Sequence, residues 1–175
     1  MLKIRTLLAI GLAAVGLTSV SQAAIYADLD LIGDAMATDE THEGWFNITG
    51  PGLGKGFVPG VETITSATID FVFADDIDPF KKESATVTLG SDTFTGGGYF
   101  LGFLISGSLN GSLQLLNESG LLKYTVTMTK GDAILLSALL TVCAEPASVP
   151  DGASTIGLLG LGLLGLAVLR RRQQA

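Results

Sequence analysis

Two short runs of acid are the first groups in this 175-residue chain whose types and spacing could do chemistry. Asp75, Asp76 and Asp78 follow an apolar, strand-like stretch, and Asp28, Asp30 and Asp34 lie nearer the N-terminus. Calcium takes six to eight oxygens, chiefly from carboxylates and carbonyls, so it is the metal these runs could hold. Neither has the spacing of an EF-hand loop. Asp75, Asp76 and Asp78 are the better candidate, because a strand end delivers clustered carboxylates rigidly. The competing reading of both runs is an acidic segment that blunts a strand edge and keeps the surface soluble. No cofactor other than this calcium is indicated. One His and one Cys are too few for a zinc site, and a lone Cys forms no intrachain disulfide.

Nucleophilic catalysis would have to use His42, in a Ser-His-Asp arrangement or paired with Cys143. His42 stands in Asp39-Glu-Thr-His-Glu-Gly44, a polar stretch that reads as a solvated loop, and Cys143 reads as a small buried hydrophobe at the end of a strand. No Gly-x-Ser-x-Gly elbow is present. No carboxylate pair is marked out for glycoside hydrolysis. The expectation is therefore a non-enzymatic chain, with a secreted hydrolase as the weakest alternative. Sugar binding would need exposed aromatic faces, for which Trp45, Tyr99 and Phe100 are candidates. Single aromatics in apolar strands usually pack inward, so all three are expected in the core.

The elements that must position these residues follow from how grease and charge are distributed. Hydrophobic residues make up 47% and charged residues 15%, with a mean hydropathy of +0.51 and a net charge of −7. The acidity argues against nucleic acid, whose phosphates need Lys and Arg. Residues 1–23 combine Lys3 and Arg5, an apolar run from Leu7 to Leu17, and Ser21-Gln22-Ala23. That is a signal-peptide helix, with cleavage by signal peptidase expected after Ala23. Ala153 to Leu169 carries no charge, and about 25 Å of helix from these residues is the lower limit for a membrane span. Arg170, Arg171 and Arg172 follow at once and would hold the tail in the cytoplasm. The expected precursor is exported and anchored in the inner membrane by a C-terminal transmembrane helix. Gly160-Leu-Gly-Leu-Leu-Gly165 matches a dinucleotide fingerprint by chance, because no strand precedes it and too little chain follows to supply a ribose ligand.

Between these ends, residues 24–148 hold sixteen of the seventeen acids and five of the ten basic residues, for a net charge of −11 without Arg. The period is two. Ile69, Phe71 and Phe73 share one face of 68–74, and Ala85, Val87 and Leu89 one face of 84–89. Leu122, Tyr124, Val126 and Met128 alternate with Lys and Thr, and Ile134, Leu136, Ala138, Leu140 and Val142 form a regular face over 133–142. Further strands are expected near 25–32, 43–49 and 99–106. Lys130-Gly-Asp132 reads as the turn of a hairpin, Asn117-Glu-Ser-Gly120 as a turn, and Gly50–Gly56 and Gly96–Gly98 as flexible loops. Seven or eight short strands with Gly-rich turns and no helix predict an all-β ectodomain, a jelly-roll-like β-sandwich.

The C-terminal segment 149–175 resembles a PEP-CTERM sorting signal. The resemblance rests on Val149-Pro150-Asp151-Gly152, the Ser-Thr pair, the Gly/Leu-rich run and the terminal Arg cluster. The motif is closest to the VPDSG/VPDGG variant, with Pro-Asp-Gly where the main pattern has Pro-Glu-Pro. The resemblance implies a Gram-negative bacterium that makes extracellular polysaccharide and an exosortase, a membrane transpeptidase-like enzyme with a catalytic Cys, that recognises the signal. It also implies removal of the anchor and sorting to the envelope, surface or biofilm matrix. The middle resembles, more loosely, a sandwich domain recurrent in such proteins, through Trp45–Thr49, Phe57–Gly60, Ile64–Ala67, Phe71–Asp76 and Leu140–Val142. The resemblance implies no activity for it. Calcium-dependent or carbohydrate binding in an exopolysaccharide matrix is the alternative function.

Overall fold

A computed structural model describes residues 23–75, 81–99 and 101–147. Gln22–Ala147 forms one compact unit. The signal-peptide residues before Ala23, the motif Val149–Gly152, the run 153–169 and Arg170–Arg172 lie outside the described residues, as do Asp76, Asp78 and Phe100.

Alternation of apolar and polar side chains drives eight strands, because a strand sends successive residues to opposite faces. They are β1 (Ala24–Met36), β2 (Thr41–Asn47), β3 (Glu62–Ala74), β4 (Glu83–Leu89), β5 (Asp92–Gly98), β6 (Phe103–Leu109), β7 (Leu121–Lys130) and β8 (Ala133–Pro146). One four-stranded sheet runs β1-β8-β3-β6, the other β2-β7-β4-β5, and every strand pair within the sheets is antiparallel. First pairs with last, second with seventh, third with sixth and fourth with fifth. That is a hairpin rolled up on itself, the jelly roll expected from the pattern.

The strands face each other through apolar side chains. Phe71 of β3, Phe46 of β2 and Tyr124 of β7 are all buried and touch across the layers, with ring centroids 4.8–6.1 Å apart. Phe73 of β3 and Phe103 of β6 stack at 4.4 Å. Such contacts contribute roughly 0.5–1.5 kcal/mol each beyond the area they bury.

Several local expectations are corrected. β7 and β8 do not form a hairpin: the turn at Gly131 (φ 74°) carries the chain from one sheet to the other. Both strands have one apolar face, and facing each other across the core buries both, whereas pairing side by side would leave them in one layer. The regular face of β8 is interrupted. Ser137 pairs with Val72 and Leu135 with Phe73, so Leu136 is an extra residue. The bulge shifts the phase and turns Ala133 and Leu135 inward while Leu136 faces out. Gly96–Gly98 is the end of β5, not a loop, and the strand expected at 99–106 begins at Phe103. Gly96 faces Ile105 and Gly98 faces Phe103, so the missing side chains let β5 and β6 close that side of the sandwich. A short helix, α1 (Leu113–Ser119), replaces the expected turn. It ends on Gly120 (φ 67°), whose N–H donates to the Leu116 carbonyl at 2.7 Å.

Gly44 in β2 has a packing reason. A Cβ there would lie 2.2 Å from the hydroxyl oxygen of Tyr124, a ring buried on every side. Gly44→Ala is expected to destabilise the domain by about 1–3 kcal/mol, the usual cost of overpacking. Chemical denaturation of the two proteins measures it.

Candidate functional site

Asp28 and Asp30 of β1 turn inward, whereas Asp34, beyond the bulge, stays exposed. Asp28 and Asp30 alternate with Leu29 and Leu31, and the aliphatic side chains are the ones in solvent, with Ile25 69% and Leu31 77% exposed. The carboxylates are held by donors across the open side between β1 and the second sheet. Asp28 takes the Asn47 N–H at 2.6 Å and the Lys55 ammonium at 2.9 Å. Asp30 accepts the Tyr124 hydroxyl at 2.6 Å. Asp34 meets the Nδ1 of His42 at 2.9 Å. At the start of the strand the Tyr26 hydroxyl donates to Glu62 at 2.6 Å, and its ring packs edge-on against Phe57. These carboxylates are spread along a seam, each on its own donors, and do not converge on a common point. Among the described residues no group of three His, Cys, Asp or Glu side chains is placed to hold a metal ion. Of the favoured calcium run, Asp75 follows the end of β3, while Asp76 and Asp78 lie outside the described residues.

His42 is not in a loop. It is a half-buried residue of β2 whose ring lies over Tyr124, 6.2 Å between centroids and 23° between planes. Cys143 is half-buried and pairs with Ile25 at the far end of β1. Nine residues of strand separate Ile25 from Asp34, His42's partner, or about 30 Å. His42 and Cys143 therefore form no dyad. Among the described residues, one open hollow is lined by Met36, Glu40 and Asp132 and another by Pro59, Glu62 and Asn117; neither is lined by His42 or Cys143. Trp45 and Tyr99, expected in the core, are 60% and 59% exposed. Trp45 alternates with the buried Phe46, and the strand's phase leaves the indole outside.

Asp92 is a polar centre that periodicity does not reveal. Its carboxylate accepts the N–H groups of Asn110, Gly111 and Ser112 at 3.3, 3.1 and 2.8 Å, and so fixes the chain entering α1. Burial pushes its carboxyl up, but Ser112 and the N–H groups of Gly111 and Asn110 more than reverse this and hold it below the usual range. The buried Ser112 hydroxyl in turn donates to the Leu89 carbonyl at 2.5 Å. The local signal was Asp92 itself, a residue suited to loop capping, but its partners lie some twenty residues away.

Comparison with known proteins adds the C-terminal feature. Residues 148–173 match the family model described as VPDSG-CTERM motif, a variant of the PEP-CTERM-like sorting signal. The chain thus carries the signal of a sorted, exported protein. No curated protein matches the chain. Among solved structures, it is similar to the crystal structure of dimeric latent PorU from Porphyromonas gingivalis, at 10% identity and a TM-score of 0.48. That match covers 75% of this chain and 14% of the other, so the chain spans about a seventh of its length.

The seam has a pH signature. The hydrogen bond to Glu62, with burial and the Glu62 charge, pushes the Tyr26 hydroxyl from 10.0 up to about 12. Burial foremost, then the bond to Asp30 and the charges of Asp30 and Asp28, pushes Tyr124 up as well. A folded-state pKa above the unfolded one gives stability that is complete below the unfolded value and lost as pH rises. The domain is expected to lose stability from pH 10 to about 12. Tyr26→Phe should flatten that decline, as melting curves across this range would record.

Proposed function

We propose, from the premise that residues 148–173 carry a VPDSG-CTERM signal, that this chain is a non-enzymatic surface protein. An exosortase-type enzyme recognises the signal and releases the sandwich from an inner-membrane anchor. The single observation that carries the reading is that family match. The linear chemistry around it agrees. Pro150 and Asp151 present the motif, the uncharged run 153–169 has the length of a minimal span, and Arg170–Arg172 resist translocation. Lys3, Arg5 and the apolar run after them supply the export signal, with Ala23 one residue before β1 begins.

The sandwich suits a cargo role. It buries its own core, and the Ala147 N–H donates to the Val61 carbonyl at 2.8 Å, so the ordered strands hold the chain to within two residues of Val149. Among the described residues no helix is long and apolar enough to cross a membrane. In this reading anchoring falls to the segment after the motif, and the sandwich is what remains outside once the anchor is removed.

Asp151→Ala is expected to block processing and leave full-length protein in the inner membrane. Immunoblots of membrane, envelope and medium fractions from a host with the matching exosortase decide it. Processing of the variant at the wild-type rate contradicts the sorting reading.

A further inference from the structure

The outer faces of the two sheets differ in kind. The face of β1-β8-β3-β6 is mixed: Ile25, Leu29, Leu31, Leu104 and Leu136 are in solvent, interrupted by Thr68, Ser108 and the bonded pair Ser106 and Asp70. The face of β2-β7-β4-β5 is paved with hydroxyls. Register places Thr41, Thr127, Thr86 and Thr95 in one row straight across all four strands. The next row is Glu43, Thr125, Thr88 and Thr93. Hydroxyls bond in pairs, Thr41 with Thr127 at 3.3 Å and Thr86 with Thr95 at 3.2 Å. Each pair uses one proton and leaves another to donate, with free lone pairs on both oxygens. Neighbouring strands lie about 4.8 Å apart and successive rows about 6.8 Å, so the hydroxyls form a regular lattice. One row beyond, on the edge strand β2, the exposed Trp45 stands opposite Lys123.

We propose that this threonine face, with Trp45 at its end, binds a neutral polysaccharide chain. Charge selects the occupant. The domain carries −11, yet on these rows the only charges are Glu43 and Lys123, which neutralise each other at 2.8 Å. A polyanion would need cations that are not already engaged. A protein partner would need apolar anchors, and the two threonine rows have none. A hydroxyl-rich neutral polymer meets what the face offers: donors and acceptors at a fixed repeat, methyl groups between them, and one indole face for a sugar ring. The opposite face offers fewer hydroxyls, breaks them up with Leu29, Leu31 and Leu104, and carries the charge of Asp70. This binding function is independent of the sorting reading, since it concerns the sandwich and not the signal.

Affinity gel electrophoresis of the full chain in non-ionic detergent tests it, with hydroxyethylcellulose, dextran or the polyanion alginate cast into the gel. The expected result is retardation by at least one of the two neutral glucans and none by alginate. Trp45→Ala and the double variant Thr86→Val, Thr127→Val should each weaken binding about tenfold or more, while melting as the wild type does. Valine keeps the shape and strand preference of threonine, so folding is not at issue. Leu29→Ser, on the opposite face, should bind normally. No retardation by either neutral glucan, or retardation that the two face variants leave intact, overturns the proposal. So does retardation without glucan that grows with protein concentration and is lost in the valine variant, which would assign the face to a second copy of the chain.

Discussion

Two sheets that share no backbone hydrogen bonds must be held face to face by side chains, and Tyr124 is where most of that holding converges. Its ring is fully buried between Phe46 and Phe71, one from each sheet. Its hydroxyl crosses to the opposite sheet and donates to Asp30. A buried hydroxyl without a partner costs about 1–3 kcal/mol, so the fold needs an acceptor there. Asp30 supplies it, and the consequences spread. β1 must turn its acidic face inward, which sends Ile25, Leu29 and Leu31 into solvent. Gly44 must lack a side chain, because the phenol occupies its Cβ position. His42, two residues earlier on the same face of β2, lies over the ring and meets Asp34, the last acid of the β1 seam.

The seam also explains why acids sit on an edge strand. β1 is long and exposes backbone groups along one side, a template for unwanted pairing. Inward-pointing carboxylates discourage a foreign strand, and the loop before Phe57 covers part of the edge, with the Ala27 N–H donating to the Gly54 carbonyl at 2.6 Å. The run Asp28, Asp30, Asp34 is thereby accounted for by folding, with each carboxylate engaged by its own donor. What the sandwich offers outward is then set by strand phase: aliphatic side chains mixed with polar ones on one sheet, threonine rows and an indole on the other.

Strands were legible in the sequence wherever one face is apolar and regular, as in β3, β4 and β7. Period two says that two faces differ; it does not say which is inside. In β1 the inner face is the one with Asp28 and Asp30, because Tyr124 of the other sheet requires an acceptor there. The β7–β8 turn has hairpin residues, but whether consecutive strands pair or face each other depends on the whole roll, which no local window contains. β5 was hidden by three glycines, of which Gly96 and Gly98 admit Ile105 and Phe103 from a strand still to come. α1 is two turns long, too short for a helical period, and only its terminal glycine was visible. Trp45 was misplaced because neighbouring Phe46 takes the core position. The sorting signal, by contrast, is a linear motif read by another protein, so its residues are adjacent in sequence and needed no fold to be recognised.

The coupling between Tyr124 and Asp30 is the interaction to measure first. A double-mutant cycle with Tyr124→Phe and Asp30→Ala, read by urea denaturation, isolates it. Hydrogen bonds to charged groups contribute about 1.5–3 kcal/mol, so the double variant is expected to lose less than the sum of the single losses by roughly that amount. Losses that add to within about 0.5 kcal/mol would mean that the two residues act independently, and the bond between the sheets would not be what orders the seam.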